Sequence, residues 1–234
     1  MKILILNGSP RKKGTVATLL KAVVEGINKN HEVEWIDVYD LKMKPCIACM
    51  KCRPDGECVQ TEDDAHIIGR KIKDAGGLIV GTPTHWGNMS SQLKLLFDRN
   101  VPVFMGEKAN GFPIPRHKGK PAAIITACTT PWPFNFIAAE SRGAIRAIRK
   151  VLHYGGYKII GKVVKPGTKK NPKNCSKVIL TKLKALDASS KCVKFRQAAN
   201  KALHLTALPG GRQVFRWPAC RQTWPSGRGR TGAP

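Results

Sequence analysis

The sequence predicts an α/β protein built on a mainly parallel sheet. Three observations carry that expectation. Five short apolar runs recur within the first 164 residues. Stretches whose apolar residues follow a helical period separate most of them. Gly- and Pro-rich turns mark the places where one period gives way to the other, as strand-to-helix crossings require.

The elements follow in order. Residues 2–6 (KILIL) form the first run, ended by Gly8-Ser9-Pro10. A continuous apolar run fits a strand buried on both faces. In residues 15–27, Val16, Leu19, Leu20, Val23, Val24 and Ile27 share a helical face, and Thr15 stands where a cap would. Residues 31–38 alternate through Val33, Trp35 or Ile36, and Val38, which predicts a second strand and closes a βαβ unit. Residues 39–60 hold Pro45, four cysteines, Pro54 and Gly56 and read as a loop. Glu62, Asp63 and Asp64 open a helix through Ile67, Ile68 and Ile72, with acids at its positive end. Residues 77–81 are a third strand, and residues 92–99 a helix with Leu93, Leu96 and Phe97 on one face. Residues 101–118 are rich in Pro and Gly and read as loop. Residues 121–127 are the fourth strand, 136–152 a helix with Ile145, Ile148 and Leu152 in phase, and 157–164 the fifth strand. A last helix is expected at 178–186, running to about 199. Right-handed crossovers leave two common arrangements for such a sheet, Rossmann-like and flavodoxin-like.

The 234 residues suit one domain of ordinary size with an appendage. Hydrophobic residues make up 42%, so a packed core is affordable and whole-chain disorder is excluded. The net charge of +26 ordinarily points to nucleic acid or an anionic membrane. Its distribution weakens that reading. Residues 1–164 carry 25 Lys and Arg against 14 Asp and Glu, a net of +11. Residues 165–234 carry 16 against Asp187 alone, a net of +15. Nucleic-acid binding needs basic residues interleaved with aromatics on a folded face. Only Phe215-Arg216-Trp217 and Arg221-Gln222-Thr223-Trp224 resemble that, and they lie past the last predicted strand. No run reaches 18 apolar residues, so no membrane span is expected, and the apolar run before Gly8 is too short for a signal. A cytoplasmic protein is expected, and its eight cysteines then read as thiols or metal ligands.

Two loops at strand ends carry chemistry. The first is Gly8-Ser9-Pro10-Arg11-Lys12-Lys13-Gly14-Thr15. It lacks the Gly-Lys-Ser/Thr of a P-loop, and Pro10 spoils a dinucleotide fingerprint. The hydroxyls of Ser9 and Thr15, the Arg11 guanidinium and the free amides of a helix start suit a terminal monophosphate. The alternative is a capped helix with solvated basic residues. The second loop is Gly81-Thr82-Pro83-Thr84-His85-Trp86-Gly87-Asn88-Met89, at the C-terminal end of a central strand, where open sheets bind ligands. Trp86 offers a flat face, and Asn88 with the loop amides offers hydrogen bonds to a polar ring edge. The alternatives are a packing Trp86 and a bystander His85.

Cys46-x2-Cys49-x2-Cys52-x5-Cys58 sets four thiols within 13 residues. Such spacing can wrap a cubane [4Fe–4S] cluster. Structural zinc more often uses two separated Cys-x2-Cys pairs. Spacing leaves cluster, zinc and free thiols open.

Taken together these motifs are specific. The Gly8-Ser9-Pro10-Arg11-x-x-Gly14 loop, the 81–89 stretch and Gln92-Leu93-Lys94-x-x-x-Asp98-Arg99 resemble the flavodoxin-like FMN reductase family. The cysteine loop looks like that of its iron–sulfur flavoprotein branch. The resemblance covers about residues 1–165. It implies a flavodoxin-like three-layer sandwich with a five-stranded parallel sheet of order 2-1-3-4-5. It implies FMN, with phosphate at Ser9, Arg11 and Thr15 and the ring against Pro83, Thr84, His85, Trp86, Gly87 and Asn88. Thr126 to Thr130 would form a third wall. Thr15 stands where the family commonly has Asn, and His85 where it commonly has Tyr or Phe. The implied reaction is hydride transfer from NAD(P)H to FMN and on to an acceptor such as a quinone, a ferredoxin or a small molecule. If the cysteines hold a cluster, electrons can leave through it one at a time. No protein acid or base is required, so no catalytic residue is assigned; His85 as proton donor is a hypothesis that His85→Phe would test. The family also implies a homodimer or tetramer. The rival readings are an electron-carrier flavoprotein with no substrate of its own and a nucleic-acid binder. The expected organisation is an FMN-binding domain over 1–200, with the cysteine loop 45–59 inserted, and a disordered basic Pro/Gly/Arg-rich tail over 201–234.

Overall fold

The computed structural model describes residues 1–27, 30–52 and 57–169. The helix expected at 178–199 and the tail at 201–234 lie outside these residues. Strands β1 (Lys2–Asn7), β2 (Glu32–Asp37) and β3 (Gly77–Pro83) form the first part of the main sheet. Helices α1 (Thr15–Gly26), α2 (Asp64–Asp74) and α3 (Ser91–Arg99) follow them in turn. A short α4 (Val101–Phe104) and a hairpin of β4 (Met105–Glu107) and β5 (Pro113–Pro115) come next. Then come β6 (Pro121–Ala127), α5 (Phe134–Ile137), α6 (Glu140–Tyr154) and β7 (Lys158–Lys165). The main sheet is wholly parallel with order β2-β1-β3-β6-β7. With the hairpin set aside this is the expected 2-1-3-4-5, so the fold is flavodoxin-like.

Strand alternation explains the layers. Leu4, Leu6, Leu78, Val80, Ala122 and Ile124 point to one face, where α2, α3, α4 and α6 supply Ile68, Ile72, Leu93, Leu96, Phe97, Ile148 and Leu152. Ile3, Ile5, Ile79, Ala123, Ile125 and Ala127 point to the other, against Val16, Leu19, Leu20 and Val23 of α1. Successive residues of one strand thus enter opposite cores, which is why these strands read as continuous apolar runs. Among the described residues α1 is the only helix on its face.

Three expectations need correction. Thr15 is not the cap of α1; Gly14 holds that position and makes no side-chain cap bond. Residues 101–118 are not all loop. Pro102 suits a first helical turn, where its missing N–H costs nothing, and Val103 and Phe104 bury against the core. Residues 136–152 are not one helix. Ala139 takes a left-handed φ of 57° and divides α5 from α6. Phe136 and Ile137 lie out of phase with Ile148 and Leu152 and face solvent.

Candidate functional site

Three loops meet at the C-terminal edge of the sheet, and hydrogen bonds tie each to the next. The Gly8 amide donates to the Gly81 carbonyl at 2.7 Å, and the Ser90 hydroxyl to the Gly8 carbonyl at 2.6 Å. These join the first loop to the second. The Thr84 amide donates to the Ala127 carbonyl at 2.9 Å, and the Thr84 and Thr126 hydroxyls are 3.2 Å apart. These join the second to the third. Gly8 is required here: a Cβ would lie 3.0 Å from both the Gly81 carbonyl and Leu93 Cδ2.

The first loop is shaped from within. Asn7 at the end of β1 donates to Asp37 at 2.7 Å, and its Oδ1 accepts the Ser9 amide at 3.2 Å. Ser9 is buried, and its hydroxyl accepts the Arg11 amide at 3.2 Å. The Ser9 oxygen therefore already holds the loop's bend. Arg11, Lys12 and Lys13 are exposed, and Lys12 pairs with Asp40 at 2.5 Å. Gly14, at the cap position of α1, has no side chain with which to cap it, and the first turn of the helix opens onto this loop. That donor set fits a phosphate.

The second loop turns sharply. His85 and Asn88 exchange backbone bonds of 2.9 and 2.8 Å, and Trp86 and Gly87 between them have φ of 50° and 68°. Two successive positive φ values are the requirement of a type I′ turn. Trp86 pays a conformational penalty there, since left-handed geometry disfavours a side chain. Its indole is 101% exposed, so it is no packing residue of this chain. The Gly87 amide donates to Glu140 Oε2 at 3.2 Å. Gly143 lies so close beneath that a Cβ on it would sit 1.9 Å from the Gly87 carbonyl. Asn88 Oδ1 accepts the Met89 amide at 2.8 Å. A flat ring laid on Trp86 would thus meet a platform fixed from behind by α6.

The third wall, residues 126–130, is anchored to the end of β7: the Cys128 amide donates to the Lys165 carbonyl and the Gly167 amide to the Thr130 carbonyl, each at 3.0 Å. Beyond it Trp132, Phe134, Phe136 and Ile137 are 53–69% exposed. Ala139, which ends this segment, lies beside Gly87. The rim of the platform is therefore apolar and open.

The four cysteines stand apart from this edge in character. Cys46 and Cys49 are exposed, Cys52 and Cys58 half-buried, and all are free thiols. Burial pushes the Cys52 thiol up, with the nearby Cys58, Cys46 and Cys49 adding to it. Among the described residues no three His, Cys, Asp or Glu side chains are gathered as a metal site. The donors suit a cluster in kind, and Cys46, Cys49 and Cys58 lie near enough to Cys52 to act on its thiol.

The loop is held at its two ends. Arg99, the last residue of α3, has a fully buried side chain. It donates to Asp63 at 2.7 and 3.1 Å, and to the Lys44 carbonyl at 2.6 Å. Asp63 also accepts the Lys44 amide at 3.1 Å and, as cap of α2, the Ala65 amide at 3.0 Å. Burial pushes the Asp63 carboxyl up, but the Arg99 bonds and the Lys44 amide outweigh it and hold the group below its ordinary range. His66 closes a capping box with Asp63, and its Nε2 lies 3.0 Å from the Cys58 carbonyl. Gly69 lets α2 lie against Asn100 at the end of α3: a Cβ there would meet Asn100 Oδ1 at 2.3 Å.

The structure thus brings the segments containing Ser9, Arg11 and Thr15 and residues 83–88 to one edge. It places Cys46, Cys49 and Cys58 in the neighbourhood of Cys52 on a separate loop. The Arg99–Asp63 pair, Gly143 under Gly87, and the apolar rim went unseen in the sequence. Arg99 had one signal: it falls three residues after the buried Leu96 on the apolar stripe of its helix.

A flavodoxin-like sheet with a basic first loop and an exposed tryptophan at its C-terminal edge has the form of a flavin- or nucleotide-binding class of protein. The comparisons narrow it. The family model for NADPH-dependent FMN reductase matches residues 1–154, and the chain belongs to that family. An iron–sulfur flavoprotein of Methanocaldococcus jannaschii is 36% identical over 107 residues, 45% of this chain and 55% of the relative. The chain spans about half the length of the curated relatives it matches first. The fold is similar to that of the NAD(P)H:quinone oxidoreductase of Methanothermobacter marburgensis (TM-score 0.58, 18% identity, 79% of this chain and 95% of the other). It is also similar to an FMN-dependent NADH-azoreductase of Bacillus anthracis in complex with FMN (TM-score 0.56, 16% identity, 88% and 99%).

Proposed function

We propose that the chain is an FMN-dependent NAD(P)H oxidoreductase. The observation that carries this reading is the trio of mutually bonded loops ending in the exposed Trp86 platform, on a chain of the FMN reductase family. Bound FMN would supply hydride acceptance from NAD(P)H and return of the electrons to an acceptor. The α1 amides, with Arg11, Ser9 and Thr15 around them, would hold the phosphate. Pro83, Thr84, His85, Trp86, Gly87 and Asn88 would lie along the ring. The acceptor class to test first is a quinone, with a ferredoxin or a small molecule next. The test is anaerobic purification followed by a visible spectrum and by NADH and NADPH oxidation with and without a quinone. Flavin absorption with turnover is expected. Bound flavin without NAD(P)H oxidation would favour an electron carrier, and absence of flavin would overturn the reading.

Two finer parts belong with it. Cys46, Cys49, Cys52 and Cys58 would hold a [4Fe–4S] cluster, supported by their spacing and by the 36% identical relative being named an iron–sulfur flavoprotein. Iron and sulfide analysis tests it. The exposed Trp132, Phe134, Phe136 and Ile137 would dock a second copy, giving a homodimer or tetramer that shields the platform from water. Ile137→Glu should return the oligomer to monomer in light scattering. Among the described residues no helix is long and apolar enough to cross a membrane. The working domain would be 1–200, with 201–234 dispensable; truncation at residue 200 that abolished flavin binding would refute that boundary.

A further inference from the structure

The Gln92-Leu93-Lys94-x-x-x-Asp98-Arg99 motif sets Leu93 against Gly8 at the C-terminal edge of the sheet, which leaves its other end unexplained. Its last residue is the most deeply buried cation described, with 2% of its surface exposed. A guanidinium is seldom buried unless its donors are met. Three of its bonds go to the cysteine loop's two limbs: the Lys44 carbonyl on the incoming side, and Asp63, twice, on the outgoing side. A further neighbour is Cys58, which lines the same small cavity as Arg99. The Arg99 Nε is buried with no hydrogen-bond partner. It borders a cavity of about 20 Å³ that Cys58, His66 and Asn100 also line. One carboxylate therefore offsets this cation, and one buried donor of a residue that shares a cavity with the last cysteine has no partner.

We propose that Arg99 is the positioning residue of the cysteine loop: it clasps the limbs together at Lys44 and Asp63 and presents its remaining charge to the group that Cys58 binds. The clasp explains how the two limbs of a loop whose described residues, 41–52 and 57–60, lie outside every helix and strand keep their register. It acts independently of what the thiols hold. The charge half rests on the reading of the loop as a cluster site. A thiolate-bound iron–sulfur cluster is an anion, and a buried cation beside it favours the reduced form, which carries one more negative charge.

Two variants of the full chain, purified anaerobically, separate these halves. Arg99→Lys keeps the charge but cannot form the planar fork to Asp63. Amide exchange of residues 42–52 and 57–63 should quicken about tenfold in it, while exchange in β1 and β3 stays at the wild-type rate. Loop exchange within twofold of wild type would overturn the clasp. Arg99→Met removes the charge as well. A spectroscopic redox titration should put its cluster about 59 mV lower than in the Arg99→Lys protein, tenfold in the one-electron equilibrium. Equal potentials would overturn the charge half. Should the wild-type protein contain no iron, the cluster reading and the charge half fall together, and the exchange rates alone decide the clasp.

Discussion

The two loop systems of this protein are built in opposite ways. At the C-terminal edge, three short loops leave strands of one sheet and bond to each other within a few residues of the strand ends. Their geometry is inherited from the sheet. The cysteine loop follows the edge strand β2, its described residues lie outside every helix and strand from Leu41 on, and it is secured at its ends by side chains at the start of α2 and the end of α3. Its geometry is borrowed from two helices. The first system is complete before a ligand arrives. The second has its limbs closed by Arg99 and Asp63, and its exposed or half-buried thiols lie between them. Preorganisation favours tight, reversible holding of one shape, whereas a pliable thiol loop can adapt to a group built into it.

The largest test strikes the clasp. Arg99→Met leaves Asp63 partly buried without its cation, and breaking a buried pair from one side costs about 3–5 kcal/mol. We expect a melting temperature many degrees lower, read by calorimetry. If stability instead stays within 1 kcal/mol (the ordinary range of an exposed pair), the loop does not depend on the helices as described.

Acid separates the regions by pH window. His117 is 2% exposed, stacked on Tyr157 at 4.8 Å, with Nε2 2.9 Å from the Val103 carbonyl. Burial, with Lys120 and Arg116 nearby, pulls its pKa down to about 4. Unfolded, it titrates near 6.5. The folded value is the lower one, so the unfolded chain binds the proton first and stability falls as pH drops from 6.5 towards 4. The loss is on the order of 3 kcal/mol at most. Asp63 acts the other side of that window: its depressed pKa lends stability that is present at neutral pH and lost only as pH falls below the unfolded carboxylate value, near 4. His117→Phe should flatten urea-unfolding free energies between pH 6.5 and 4. A slope that survives the substitution would mean that another group carries it.

The sheet and the loops that meet at its C-terminal edge were legible because local signals sufficed. Apolar runs fixed the strands, and Gly8, Gly14 and Gly81 marked loops whose backbones must approach closely. The clasp was not legible, because Arg99 and Asp63 lie 36 positions apart and charged residues ordinarily face solvent. Phe136 and Ile137 misled for a related reason. An apolar residue next to a helical pattern reads as core, and nothing local separates core from an exposed rim.

A middle-sized test probes the flavin edge. Gly143→Ala would drive a methyl to 1.9 Å from the Gly87 carbonyl, so α6 or the Trp86 turn must move. Overpacking of this kind costs about 1–3 kcal/mol. Affinity for added FMN, measured by flavin fluorescence quenching, should fall at least about tenfold, a loss of about 1.4 kcal/mol. Unchanged affinity would show that the edge yields more easily than its hydrogen bonds imply.

The smallest effect on stability tells most about the platform. Trp86 is held at a φ of 50°, contributes no packing within the chain, and could be replaced by a residue that suits that backbone better. Trp86→Gly should therefore leave stability unchanged or raise it by up to about 1 kcal/mol, since the left-handed strain vanishes while the chain gains some unfolded-state freedom. The same change removes the flat face, so FMN affinity should drop about tenfold even as the fold holds. Stability and binding moving in opposite directions at one residue is the signature of strain kept for a ligand. Were both to fall together, Trp86 would be supporting the turn itself, and the edge would owe its shape to side-chain packing rather than to the sheet.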